Sequence, residues 1–339
     1  MKAAFYTGGE KIETGVCTPV APGPGQVQIR VSHVGICGTD LHIVKGKMDH
    51  RVTFPQVLGH ETSGTIEAIG EGVTGWSAGD RVTVMPLDPC NQCPACRAGH
   101  SHICQKLKFI GIDSPGALQA IWTVPAHTLH RLPENLSLEL GAMIEPIAVA
   151  CHDVRLGEIT AQDYVVVQGG GPIGALCALV AMTRGARVLL TEINPYRIEL
   201  ASQLGVRAVN PKDTDLAALV NEETGGAGAD VVMEVTGSQA GASLMTQLVR
   251  TRGRIVIVAI FAEQPKLDLF RFFWRELRLC GARVYEHQDF ETAIDLAASG
   301  KLPLRQLISG VKPLEGVAEA VHQLEGGGPV MKILIDCKA

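Results

Sequence analysis

From about residue 160 the sequence alternates short, unbroken apolar runs with longer helix-like stretches, and this texture constrains the fold more than any other feature. "YVVVQ" (164–168), "RVLLTE" (187–192), "DVVMEV" (230–235), "RIVIVAI" (254–260) and "LRLCG" (277–281) are the apolar runs. They lack the in–out alternation of a half-exposed strand, so they read as strands buried on both faces. "IGALCALVAMTRG" and "NPYRIELASQLG" fill the gaps as helices. Strand and helix in strict alternation imply a parallel sheet covered on both sides, the doubly wound α/β class. The first 150 or so residues look different. "QVQIRVSHVGI", "ETSGTIEAIG" and "GDRVTVMP" are β-like runs between Gly/Pro turns, which predicts an irregular β-rich domain. After about residue 287 the chain reads as helical and closes on the strand "MKILIDC". The expected organisation is therefore 1–150, 151–287 and 288–339, two domains' worth of chain in 339 residues.

Between the first strand and helix of the α/β region lies "GGGPIG". Gly169, Gly171 and Gly174 satisfy GxGxxG: one glycine for the turn, one for close approach of a pyrophosphate, one for helix–strand packing. Pro172 and Ile173 open the helix, whose free N–H groups favour phosphate. In so glycine-rich a chain the motif alone is weak. Glu192 strengthens it, because a carboxylate ending the second strand accepts hydrogen bonds from ribose hydroxyls and repels a 2'-phosphate. NAD is the expected cofactor. Arg197, a helical turn on and placed to flank the adenosine, leaves NADP open.

"DPCNQCPACRAGHSHIC" holds Cys90, Cys93, Cys96 and Cys104 in the spacing CxxCxxCx7C. Four thiolates suit tetrahedral zinc and leave no open position, so this site is expected to be structural. His100 and His102 read as surface polar residues. The other cysteines, Cys17, Cys151, Cys177, Cys280 and Cys337, have no ligand spacing and read as buried small hydrophobes. With no apolar run long enough to span a bilayer and no signal-like N-terminus, a cytoplasmic location is expected. The net charge of -5 and the lack of basic runs argue against a nucleic-acid or membrane partner.

A second constellation is dispersed: Cys37, Thr39, Asp40 and His42 in "GICGTDLH", His60 and Glu61 in "LGHETSG", and Glu145 in "MIEPIAVACH". One thiolate, one imidazole and one or two carboxylates make a metal site that leaves a position for water or substrate.

In their order along the chain, "GICGTDLH", "GHE", the four-cysteine lobe, "EPIAVA" and "GGGPIG" resemble the zinc-containing medium-chain dehydrogenase/reductase family, alcohol dehydrogenase type. "GHE" paired with Glu145 is most similar to the polyol (sorbitol-type), threonine and butanediol dehydrogenase branch. The resemblance implies a GroES-like catalytic domain built from both chain ends, a Rossmann domain, and substrate in the cleft between them. It implies two zinc ions: a structural one on the four cysteines, and a catalytic one on Cys37, His60 and Glu145 with Glu61 beside it, the division between the two glutamates being open. It further implies that the metal lowers the pKa of a substrate hydroxyl while the nicotinamide accepts hydride. Thr39 would hydrogen-bond the alcohol, His42 would pass its proton to solvent, and Val258 and Ile260 would lie against the nicotinamide, core packing being an equal reading for those two. Asp40 reads as a structural hydrogen-bonder.

The expected activity is hydride transfer between a secondary alcohol of a polyol, sugar or sugar acid and NAD. A threonine or vicinal-diol dehydrogenase is the alternative, and a non-catalytic zinc/NAD redox sensor the reading from another class. Departures from the branch limit the substrate. "SPGALQAIWTV" puts Leu118 and Trp122 where a pocket wall is expected, and "GARVYEHQDF" offers Arg283 and Tyr285 to substrate oxygens. Lys332 reads as a pyrophosphate contact or a solvated strand end. "LDLFRFFWREL" (267–277) reads as a buried helix face with part of it in a homodimer or homotetramer interface.

Overall fold

The computed structural model describes residues 1–338. The chain divides into two compact units: residues 1–145, 286–300 and 307–339, and residues 146–285 with 301–306.

The second unit is built on a six-stranded, wholly parallel sheet. Its strands, in spatial order, are Arg207–Val209, Arg187–Thr191, Tyr164–Gln168, Ala229–Glu234, Val249–Ile257 and Arg278–Gly281. Numbered along the chain that order is 3-2-1-4-5-6, the doubly wound arrangement. All five residues of Tyr164–Gln168 are buried, as an unbroken apolar run requires when helices cover both faces. Val166, Leu189, Val232 and Ile255 from four strands meet Met245 and Leu248 of the helix Gln239–Leu248 in one core. The order reverses between Tyr164–Gln168 and Ala229–Glu234, and open α/β sheets bind ligands beyond the carboxyl ends of the strands at such a point.

The aromatic segment corrects an expectation. The helix Leu269–Arg275 exposes Leu269, Phe270, Phe273 and Trp274, the last two at 78% and 71%. Only Phe272 and the flanking Leu267 and Leu277 pack against the sheet core. Apolar residues fill positions 269, 270, 272, 273 and 274, so the sequence carries no periodicity to mark the inner side.

In the first unit the long strand Gln26–Gly35 pairs antiparallel with Glu61–Ile69, with Ile121–Pro125 and with the C-terminal strand Lys332–Asp336. Arg81–Val84 and Leu129–Arg131 extend the sheet on one side, and Ile308–Pro313 on the other. The strand Gln26–Gly35 and the C-terminal strand thus share one sheet, which sets residues 36 and 61 beside residue 332. A small hairpin, Leu87–Asp88 with Lys108–Phe109, frames the cysteine lobe. Leu118 and Trp122 are each 2% exposed, and the Trp122 indole donates to the Pro115 carbonyl at 2.9 Å, so both belong to the buried packing of this unit. Among the described residues no helix is long and apolar enough to cross a membrane.

Candidate metal centres and dinucleotide site

Cys37 caps the helix Gly38–Val44, and its N–H donates to the Asp40 carboxylate at 2.9 Å, which fixes the turn that presents the thiol. His60 and Glu61 enter at the start of the strand Glu61–Ile69, directly opposite Gly35. Glycine at residue 35 leaves room for the Glu61 carboxylate, one of whose oxygens a Cβ there would displace. The pairing of the two strands brings the Cys37 sulfur, a His60 ring nitrogen and a Glu61 oxygen within 4.8 Å of one another. His60 and Glu61 are almost wholly buried, and the second carboxylate oxygen of Asp40 stands 3.7 Å from His60 Nδ1. Asp40 therefore caps the helix and places negative charge beside His60 without hydrogen-bonding it, in keeping with a structural role.

Glu145 opens the helix Ile144–Leu156 and is 5% exposed. It lies outside the 4.8 Å group, yet its charge acts on both His60 and Lys332.

Lys332 is where expectation fails. It is 2% exposed, and its ammonium donates to both Glu61 oxygens at 2.6 Å and to the Ile36 carbonyl at 3.1 Å. It is neither solvated nor free for a phosphate.

The residues fit a cation. Burial alone would depress the His60 pKa, but Asp40, Cys37 and Glu145 around it outweigh burial and push it up to about 10. A pocket that holds a proton on a buried imidazole so strongly has excess negative charge to spend on a metal. In the same helix as Cys37, Thr39 is half-buried and His42 exposed. Partial burial and then Lys47 and Lys45 lower the His42 pKa, which keeps its imidazole neutral and able to accept a proton.

The four-cysteine lobe is closed. Its sulfurs lie 3.4 Å (Cys90–Cys104), 3.5 Å (Cys93–Cys96) and 3.8 Å (Cys93–Cys104) apart, with no disulfide among them. Two thiolates on one tetrahedral zinc stand roughly 3.8 Å apart, so the cage needs little change to accept the ion. Backbone N–H groups of Cys90, Gln105 and Lys106 donate to the sulfurs. Donation from the Cys96 and Gln105 backbone brings the Cys93 thiol down to about 6, while burial and the neighbouring thiols push Cys96 up to about 12. His100 is exposed, as expected, but His102 is buried. Of the other cysteines, Cys151, Cys177 and Cys337 are buried, whereas Cys17 and Cys280 are only partly so.

In the second unit Gly171 caps the helix Pro172–Thr183, with Pro172 in its first turn followed by Ile173. A Cβ on Gly174 would strike the Gly169 carbonyl, which is why the turn can be this tight. Glu192 follows the strand Arg187–Thr191 and accepts from the N–H groups of Gly170 (2.9 Å), Ile193 (2.6 Å) and Asn194 (2.9 Å). A carboxylate has about four acceptor positions, so roughly one remains for a ribose hydroxyl. Arg197 stands 3.8 Å from Glu192, its guanidinium beside Gly171 and its Nε without a hydrogen-bond partner among the described residues. Val258 is half-buried and Ile260 is 88% exposed, which removes the core-packing reading of Ile260. Tyr285 is fully buried and so does not present its ring to a substrate, while Arg283 is exposed.

Sequence reasoning missed Glu234. It is fully buried at the end of its strand and accepts from the N–H groups of Thr236 (3.0 Å) and Gly237 (3.1 Å), fixing the loop at the point of strand reversal. An acid ending an apolar run was the available signal.

Both halves of the chain match family models: the alcohol dehydrogenase GroES-like domain over residues 23–134 and the zinc-binding dehydrogenase domain over 172–299. The chain belongs to the zinc-binding medium-chain dehydrogenase family of the alcohol dehydrogenase type, with its GroES-like and Rossmann parts. It is 52% identical to the 2-dehydro-3-deoxy-L-galactonate 5-dehydrogenase of Pseudoalteromonas atlantica, covering 100% of this chain and 99% of that one. Sorbitol dehydrogenase of Halalkalibacterium halodurans is 33% identical, with 92% of each chain covered. A Sinorhizobium meliloti 1021 protein, described as a zinc-binding dehydrogenase and solved bound to NADP, superposes with a TM-score of 0.91 at 29% identity, covering 99% of this chain and 98% of that one.

Proposed function

We propose that the protein oxidises a secondary hydroxyl of a sugar acid, at carbon 5 of a 2-dehydro-3-deoxy sugar acid, with NAD as acceptor. The observation that carries this reading is the 52% identity over the full length to a dehydrogenase of that specificity, well above the 33% to sorbitol dehydrogenase. The buried, negatively charged group around His60 supplies the matching site chemistry.

Cys37 and His60 would hold a catalytic zinc together with a carboxylate. Glu61, with an oxygen within 4.8 Å of the Cys37 sulfur and a His60 nitrogen, or Glu145 would be that third ligand; the hold of Lys332 on both Glu61 oxygens counts for Glu145. Cys90, Cys93, Cys96 and Cys104 would hold a second, structural zinc. When bound, zinc supplies a Lewis acid for the hydroxyl oxygen and nicotinamide supplies the hydride acceptor. Thr39 orients the hydroxyl. Neutral His42, exposed one turn further along the same helix, receives the proton and hands it to water. Glu192 binds the adenosine ribose, and its charge disfavours a 2'-phosphate, whereas Arg197 is the feature that would tolerate one. The helix start at Pro172 to Gly174 holds the pyrophosphate, and Val258 and Ile260 face the nicotinamide. Exposed Leu269, Phe270, Phe273 and Trp274 support a homodimer or homotetramer, and ten unbridged cysteines suit a reducing cytoplasm.

Initial rates with 2-dehydro-3-deoxy-L-galactonate, sorbitol, threonine and 2,3-butanediol, each with NAD and NADP, test the proposal. The sugar acid with NAD is expected to give the highest kcat/KM by at least about tenfold, equivalent to about 1.4 kcal/mol of transition-state binding. Higher kcat/KM on sorbitol or the diol would overturn the substrate assignment, and preference for NADP would overturn the reading of Glu192.

A further inference from the structure

A third group of potential metal ligands shares no residue with the other two. His130, on the strand Leu129–Arg131, meets His287 and Glu291, which sit four residues apart on the helix His287–Ala298 and so share one face of it. One ring nitrogen from each histidine and a carboxylate oxygen of Glu291 all fall within 4.8 Å of one another. The two imidazoles are packed at 4.4 Å between ring centroids, and His130 also stacks on Phe290 at 4.8 Å.

We propose that His130, His287 and Glu291 form a binding site for a divalent transition-metal ion of the zinc class, clipping the strand to the helix. Two nitrogens and a carboxylate oxygen are a ligand set that zinc accepts, with water completing the shell because His287 and Glu291 face solvent.

Two observations carry this. First, the His130 side chain is only 1% exposed, so it enters the group largely out of water, where attraction to a cation is least screened. Second, His130 Nδ1 and Glu291 Oε1 are 2.6 Å apart, the distance of a shared proton. Ligands of a tetrahedral zinc stand roughly 3.3 Å apart, so a metal replacing that proton needs a shift of under about 1 Å. The Glu291 side chain is 56% exposed and has room to make it.

The site shares no residue with the proposed dehydrogenase machinery, so its test is independent of that function. Purified protein, His287→Ala and Glu291→Gln are saturated with Zn2+, passed through gel filtration and counted for zinc. Both substitutions fall on exposed side chains and leave the fold intact. Wild type is expected to carry one Zn2+ per chain more than either variant, or to bind that ion at least about tenfold more tightly. Co2+ at this equivalent should give ligand-field bands without thiolate charge transfer. Added Zn2+ should raise the melting temperature of wild type and of neither variant. Equal zinc counts and equal affinities in all three proteins, or thiolate charge transfer at the extra equivalent, would overturn the proposal.

Discussion

Lys332 and Glu61 are 271 residues apart in sequence and 2.6 Å apart in the protein, both buried. Two opposite charges taken out of water cost desolvation that is recovered only while both are present. Lys332→Met should therefore destabilise the chelator-treated protein by about 3–5 kcal/mol, because Glu61 is left charged without a partner. Urea unfolding measures this, and Glu61→Gln combined with Lys332→Met should restore most of the loss. A single variant costing under about 1 kcal/mol would show that the pair contributes little. Of this pair the sequence disclosed only the carboxylate: "GHE" has a recognisable pattern, but a lone lysine in "MKILIDC" looks like any strand-end lysine. Its partner is set by which strands pair, a non-local property.

At the scale of elements, the cysteine lobe has scarcely any apolar packing of its own. It consists of the four-residue helix Pro94–Arg97, one 3-10 turn at Ser101–Ile103, and a hairpin with two residues in each strand. On the proposed zinc coordination, its order would come from the metal. Cys96→Ser is expected to release one zinc per chain and open residues 88–105 to proteolysis, with zinc at Cys37 retained. Zinc counting together with limited digestion checks this, and an unchanged zinc content would sink it. The lobe was legible because its ligands are local, within 15 residues. The helix Leu269–Arg275 was misread for the complementary reason: its apolar residues are local too, but which of them are covered depends on a neighbouring sheet face.

At the scale of the molecule, exposed Phe273 and Trp274 form an apolar surface of the kind soluble proteins cover by association. Trp274→Glu should shift the mass measured by light scattering from oligomer towards monomer at micromolar concentration, with the far-ultraviolet dichroism unchanged. A monomeric wild type would refute the association. Two strands far apart in sequence join in one sheet through the pairing of Lys332–Asp336 with Gln26–Gly35, and no local pattern in either segment announces that partnership.

By itself the sequence determined what short-range chemistry can encode. Unbroken apolar runs, a glycine turn before a helix, and thiols at ligand spacing each depend on residues within a turn or two of one another. They sufficed for the α/β sheet, the glycine turn before its helix and the clustering of four cysteines. Only the tertiary structure decided matters that need distant segments: the counter-ion of Glu61, the buried setting of His60, the burial of Tyr285, and the meeting of His130 with His287 and Glu291. The physical reason is that charge and hydrogen bonding act over a few ångströms of space, and strand pairing brings within that range residues that sequence distance keeps apart.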